Sequence, residues 1–202
     1  MPRPVPITRR RLLLGFGLGL GPALLAGCGS SPPVLLYHLN ADRPEGATLP
    51  APTRETWQLV LPVRLPEYLD REAILVPRAD SGLLALSGQR WAESLRDAVP
   101  RVLRQDLAAW LGPARLWVAP VPAGVVVTRQ LRVELLAFDI EPGRSAVRLQ
   151  ALWTLVDPSG RTAPLSDSAT LRVGSSGSDI GALVAAHRLA LWQLAGRIAV
   201  GR

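Results

Sequence analysis

Apolar and polar residues alternate in several short stretches of the chain and recur at helical spacing in two longer ones. Trp57 to Val63 alternates and predicts a strand, ending among Pro62 to Pro66. Ala73 to Val76 and Leu83 to Leu86 predict two further short strands, with Arg78 to Gly82 as the turn between them. From Gln89 to Leu111 the spacing predicts a helix, because Trp91, Leu95, Val99, Val102, Leu103, Leu107 and Trp110 recur every three or four positions. Arg96, Asp97, Arg101, Arg104 and Asp106 fall mainly on its other face. Pro100 lacks an N–H and crowds the preceding turn, so a kink or two abutting helices are expected there. Gly112 and Pro113 stop the pattern.

The second half reads as strand, strand, hairpin, strand and helix. Arg115 to Val118 is short, and Leu131 to Ile140 alternates only in part. Ser145 to Val156 pairs with it through the turn Glu141 to Arg144. The turn Asp157 to Gly160 leads into a strand from Arg161 to Val173. Ser178 is the expected N-cap of a last helix, with Asp179 in its first turn favouring the helix dipole. Ile180, Leu183, Val184, His187, Leu191, Leu194 and Ile198 mark that helix's apolar stripe. These elements predict the α+β class, a mainly antiparallel sheet with two helices packed on one face.

Before the first strand the chain has a different character. Arg9, Arg10 and Arg11 precede an uncharged run from Leu12 to Ala26, which is shorter than the roughly 20 residues a membrane-spanning helix needs. The run ends in Leu25-Ala26-Gly27-Cys28, the grammar of a bacterial lipoprotein signal cut between Gly27 and Cys28. Diacylglycerol on the Cys28 sulfur, with a third chain on the new amino terminus, would hold the protein on a membrane, since each buried CH₂ contributes about 0.8 kcal/mol. Thr8 to Leu13 also resembles a twin-arginine export signal, and the sequence leaves the export route open. Gly29, where many inner-membrane lipoproteins carry Asp, favours the outer membrane. Gly29 to Thr56, with Pro32, Pro33, Pro44, Pro50 and Pro52, reads as a tether. The apolar run Val34 to Leu39 within it is expected to dock as a short strand. The expected organisation is a signal peptide over 1–27, a lipidated tether over 28–56 and one domain over 57–202.

Charge changes the picture less than the net +7 suggests. Every basic residue is Arg, and Arg3, Arg9, Arg10 and Arg11 are lost with the signal. That leaves 19 Arg against 16 acids, a net +3 without any dense basic run, and a nucleic-acid partner is not expected. A single Cys excludes an intramolecular disulfide.

Catalytic constellations do not emerge. His38 lies in the tether's apolar run and His187 beside the last helix's stripe, with no third ligand spaced for a metal. His187 reads as a packing or surface residue. Gly174 to Ser178 lacks nucleophile-elbow spacing, and there is no phosphate-binding glycine loop. Asp139 and Glu141 read as turn acids. Trp91, Trp110, Trp153 and Trp192 read as core, and Trp57 and Trp117 open or sit within short strands. No metal, cofactor or catalytic residue is predicted.

One stretch is more specific. Leu61 to Arg71 contains Val63, Leu65, Pro66, Tyr68, Leu69, Asp70 and Arg71; Ile74 to Arg78 follows; then Arg90, Trp91, Ala92, Glu93 and Leu95. This resembles the ABC-type transport auxiliary lipoprotein family, the PqiC-like lipoproteins, whose pattern is a strand ending in V-x-L-P-x-Y-L-D-R, a short strand, then R-W-A-E-x-L. Tyr37 to Leu39 is similar to the family's early Y-x-L strand, and Phe138, Asp139 and Leu149 to Trp153 to its later ones. Pro100 departs from the pattern. The resemblance implies an accessory protein, not an enzyme: a subunit of an envelope transport system built around an MCE-domain protein, moving lipids or other hydrophobic molecules. It would dock the periplasmic assembly to the membrane as a homo-oligomer. Pro66, Tyr68, Leu69, Asp70, Arg71, Arg90 and Trp91 are then either a structural turn or a partner-binding surface. A stand-alone envelope lipoprotein and an unrecognised periplasmic hydrolase remain the alternatives.

Overall fold

The computed structural model describes residues 32–39, 44 and 48–201, so Gly27, Cys28 and the signal grammar lie outside the described residues. Residues 34–202 form one compact unit. Its strands are β1 (Leu35–Tyr37), β2 (Trp57–Leu59), β3 (Ala73–Pro77), β4 (Leu83–Trp91), β5 (Leu116–Trp117), β6 (Arg129–Ile140), β7 (Ala146–Val156) and β8 (Leu165–Gly174); its helices are α1 (Leu95–Leu111) and α2 (Ile180–Val200). The α+β class and the helix pair are as the sequence predicts.

The strands divide into two sheets where one mainly antiparallel sheet was expected. The larger runs β5-β2-β6-β7-β8 and the smaller β1-β4-β3. β6, β7 and β8 form an antiparallel meander, whereas β2 lies parallel to both β5 and β6. β1 lies parallel to β4, so the apolar run does dock on a sheet, through Leu35 opposite Gln89 and Tyr37 opposite Trp91. These parallel pairs arise because β1 and β2 come from the incoming chain and lie beside strands supplied much later, as long connections allow.

The meander buries one face. Leu131, Val133 and Leu135 of β6 and Leu149, Ala151 and Trp153 of β7 point into the core, while Arg132, Leu136, Arg148 and Leu152 face solvent. A register shift between Leu135 and Ala137 is why β6 alternates only in part: the bulge brings Phe138 and Ile140 back to the core side. α2 lies against β7 and β8 and carries buried residues all round, including Leu183, Ala190, Leu191, Leu194 and Ile198, as a helix enclosed on several sides must. α1 packs on α2 and buries Leu95, Val99, Val102, Leu103 and Leu107.

Two helix boundaries differ from the sequence reading. Gln89 to Trp91 end β4, and α1 begins at Leu95 behind Ser94, whose Oγ accepts from the Asp97 N–H at 3.2 Å. Asp179, not Ser178, caps α2, its carboxylate accepting from Ala182 N–H at 3.0 Å. α1 also runs through Pro100 as a single helix. The carbonyl that Pro100 leaves without a donor belongs to solvent-exposed Arg96, where water can serve it. At the far end of α1, Gly112 adopts φ 105°, and a Cβ there would stand 3.0 Å from Pro52.

Candidate functional site

The two halves of the Leu61–Leu95 motif meet at one corner, where the small sheet joins β6 and both helices. Pro66 starts a single 3-10 turn over Glu67–Leu69, closed by Leu69 N–H to Pro66 C=O and Asp70 N–H to Glu67 C=O, each at 3.0 Å. Proline at the start of such a turn is already at its helical φ. The turn points its side chains three ways. Tyr68 reaches β6, its hydroxyl donating to Asp139 Oδ1 at 2.7 Å. Leu69 is buried beside Ile74, Trp91 and Phe138 around a cavity of about 20 Å³, room for roughly one water. Asp70 pairs with Arg96 on α1 at 2.5 Å.

The second half closes the corner from the other side. Trp91 N–H donates to Glu72 C=O at 2.7 Å, and Ala92 N–H donates to Tyr37 C=O at 2.6 Å. Arg90 pairs with Glu72 at 3.2 Å on the surface, and Arg101 of α1 pairs with Glu93. The Trp91 ring is buried edge-on to His187 at 5.5 Å, and Phe138 meets the same imidazole at 4.7 Å. Thus Tyr68, Leu69, Asp70 and Trp91 each tie a different element to the corner. Arg71 is the exception: its side chain is exposed and has no ion-pair partner among the described residues.

The electrostatics here are those of a sealed joint. Burial, then the neighbouring Asp139 carboxylate, push the Tyr68 hydroxyl above its ordinary pKa, so it stays a neutral donor. Burial pushes His187 down to about 4, against the opposing pull of the Leu183 and Phe138 carbonyls. His187 Nδ1 lies 2.8 Å from Leu183 C=O and the residue is 3% exposed. A neutral imidazole between Trp91 and Phe138 packs the corner. His38 is exposed next to β1. Asp139 and Glu141 hold Tyr68 and Arg172 respectively, and Ser175 Oγ donates to Gly177 C=O within its own turn. Among the described residues no cluster of His, Cys, Asp or Glu could hold a metal ion.

Two features escaped the sequence reading. Asp106, assigned to the polar face of α1, is buried and bidentate with buried Arg188 of α2, at 2.7 and 2.8 Å. Both positions lie three and four residues from apolar stripe members, Leu103 and Val102 for Asp106, Val184 and Leu191 for Arg188. A lone acid on one stripe and a lone base on the other was the available signal. The second is a groove of about 580 Å³ between Leu61, Pro62 and Val118 on one side and Arg96, Pro100, Arg101 and Arg104 on the other. Its walls come from three distant segments, and no local pattern announces it. The tryptophans are mostly core: Trp57, Trp91, Trp153 and Trp192 are buried, while Trp110 and Trp117 are half-buried.

The family model described as ABC-type transport auxiliary lipoprotein component matches residues 37–199. The chain belongs to this family. The matched span includes the residues that build the corner between the sheets, and the family description is that of an auxiliary lipoprotein component of ABC-type transport. A crystal structure of an uncharacterised protein superposes with a TM-score of 0.65 at 18% identity, covering 83% of this chain and 97% of that one. A Xanthomonas campestris protein from a domain family of unknown function gives 0.61 at 20% identity, covering 81% and 92%. At these identities the two structures establish a shared fold. No curated protein sequence matches the chain. Among the described residues no helix of this auxiliary lipoprotein is long and apolar enough to cross a membrane.

Proposed function

We propose that the protein is a lipid-anchored auxiliary subunit of an MCE-type, ABC-driven envelope transport system that moves lipids or other hydrophobic molecules. It acts by docking and assembly. The observation that carries this reading is the fate of the family motif: Tyr68, Leu69, Asp70 and Trp91 are spent on joining elements, which leaves exposed Arg71 and the surface around it for a partner. Acyl chains on Cys28 anchor it, and Gly29 favours the outer membrane facing the periplasm. It works as a homo-oligomer. Strand β8 supports this, because its ten residues end the larger sheet with an open edge.

The test is mild crosslinking of the lipidated protein in its native membranes, followed by mass spectrometry of what is captured, with Cys28→Ala as control. An MCE-domain protein or transporter subunit recovered with the wild type, and weakened in the control, supports the proposal. Capture of envelope proteins without any transport component rejects it in favour of a stand-alone assembly lipoprotein.

A further inference from the structure

The β3–β4 hairpin carries apolar residues that the core does not use. Leu83 and Leu84 are 48% and 45% exposed although they follow one another in β4. Successive strand residues point to opposite faces, so the start of β4 presents exposed apolar side chains on both faces. Val34, Leu35 and Leu36 are exposed as well, at 51%, 53% and 64%. Arg78 in the hairpin turn is also exposed, paired with Asp80 at 3.4 Å.

The direction of β1 connects these residues to the anchor. β1 runs parallel to β4 with Leu35 level with Gln89, so β4 runs back from that level through Leu84 and Leu83 to the hairpin turn. From Val34 back to Cys28 the chain has only six residue steps and reaches about 20 Å at most. That is the length of β4 and its turn from Gly88 to Gly82, at about 3.3 Å per residue. An acylated Cys28 therefore holds Val34 within about 20 Å of the bilayer, and the linker is long enough to run along β4 as far as Leu84 and Leu83.

We infer that the hairpin tip, through Leu83 and Leu84, together with Val34 to Leu36, inserts into the lipid surface beside the anchor. The inference rests on acylation at Cys28. A fluid lipid medium can reach apolar side chains on both faces of a strand edge at once, which the face of a packed protein partner does not.

The chain's single Cys is consumed by acylation, which leaves an introduced thiol free for labelling. Full-length lipidated Leu83→Cys and Leu36→Cys, each carrying an environment-sensitive NBD dye, are reconstituted into phosphatidylethanolamine–phosphatidylglycerol vesicles with and without doxyl-labelled lipid. Leu152→Cys, exposed on the larger sheet, is the control. The expected result is a blue shift and loss of emission with doxyl lipid at positions 36 and 83, and neither at 152. Unquenched, red-shifted emission at 83 overturns the inference. A blue shift without quenching also overturns it, and assigns the hairpin to a second copy or another protein. Mass spectrometry of the N-terminal peptide from the same samples reads the anchor separately: acylated Cys28 with an unquenched hairpin refutes the lipid face alone, and unacylated Cys28 refutes the anchor from which it was inferred.

Discussion

Asp106 of α1 and Arg188 of α2 form a two-pronged ion pair in the buried seam between the helices, at 2.7 and 2.8 Å. Neither carries charge to the surface, so the pair holds the helices in register at the expense of desolvating two ions. Burial outweighs Arg188 in its effect on Asp106, whose pKa rises to about 6. Replacing Asp106 with Ala removes both of these charge-assisted hydrogen bonds from a buried guanidinium. The expected cost is about 3–5 kcal/mol, and thermal unfolding should show a midpoint lower by roughly 10 °C. Replacing both residues with Leu should recover much of that loss, which a double-mutant cycle measures directly.

His187 makes stability depend on pH. Its folded pKa of about 4 lies below the ordinary 6.5, so the unfolded chain binds the proton more tightly between these values. The stabilisation is therefore complete above about pH 6.5 and is lost as pH falls towards 4, in total about 3 kcal/mol. Asp106 has the opposite sign: its raised pKa makes the fold gain stability as pH falls from about 6 to 3.8. The two contributions oppose each other in wild type. Urea unfolding of His187→Gln across this range should expose the difference, with the gap between wild type and variant narrowing by about 3 kcal/mol from pH 7.5 to pH 4.

Tyr68 and Arg71 separate the two meanings of the motif. Tyr68→Phe removes a hydroxyl that donates to the Asp139 carboxylate, and should cost about 1.5–3 kcal/mol without altering which proteins are captured by crosslinking. Arg71→Ala breaks no ion pair among the described residues. It should melt with wild type and lose partner capture. Equal capture by Arg71→Ala and wild type would place the docking surface elsewhere on the domain.

Gly196 is set by its neighbour across the seam. A Cβ at this position would lie 2.8 Å from Cζ2 of Trp110, whose indole also stacks at a tilt on Trp192, 5.3 Å away. Gly196→Ala should destabilise by about 1–3 kcal/mol despite its better helix propensity, and Trp110→Leu in the same chain should relieve most of it. Circular dichroism melts of the single and double variants decide this.

The order of elements was legible because each strand or helix carries its own period, and the family motif was legible as a string of residue types. What was not legible depends on partners distant in sequence. Trp91 fits the helical spacing with Leu95 yet closes β4, and the signal that separates them is the N-cap pair Ser94 and Asp97. The bulge after Leu135 cannot be seen in β6 alone, since it exists only against β7. The division into two sheets likewise follows from β1 and β2 lying beside strands supplied later in the chain. The motif residues meet at one corner of the fold, but which of them hold that corner and which face outward required the contacts of Asp139, Arg96 and His187.

The three-residue strand β1 sets how the domain responds to force. Any pull arriving from the N-terminal side enters through β1, which is held by its short parallel ladder to β4 and by the fully buried Leu39 just beyond it. The meander of β6, β7 and β8 is far more extensively bonded. Under load β1 and Leu39 should therefore release first, as a mechanical fuse. The chain from Leu35 to Thr53, 18 residue steps with a contour length of about 60 Å, would then be drawn out as far as the Thr53 N–H bond to Leu111 C=O, while the helices and the larger sheet stay folded.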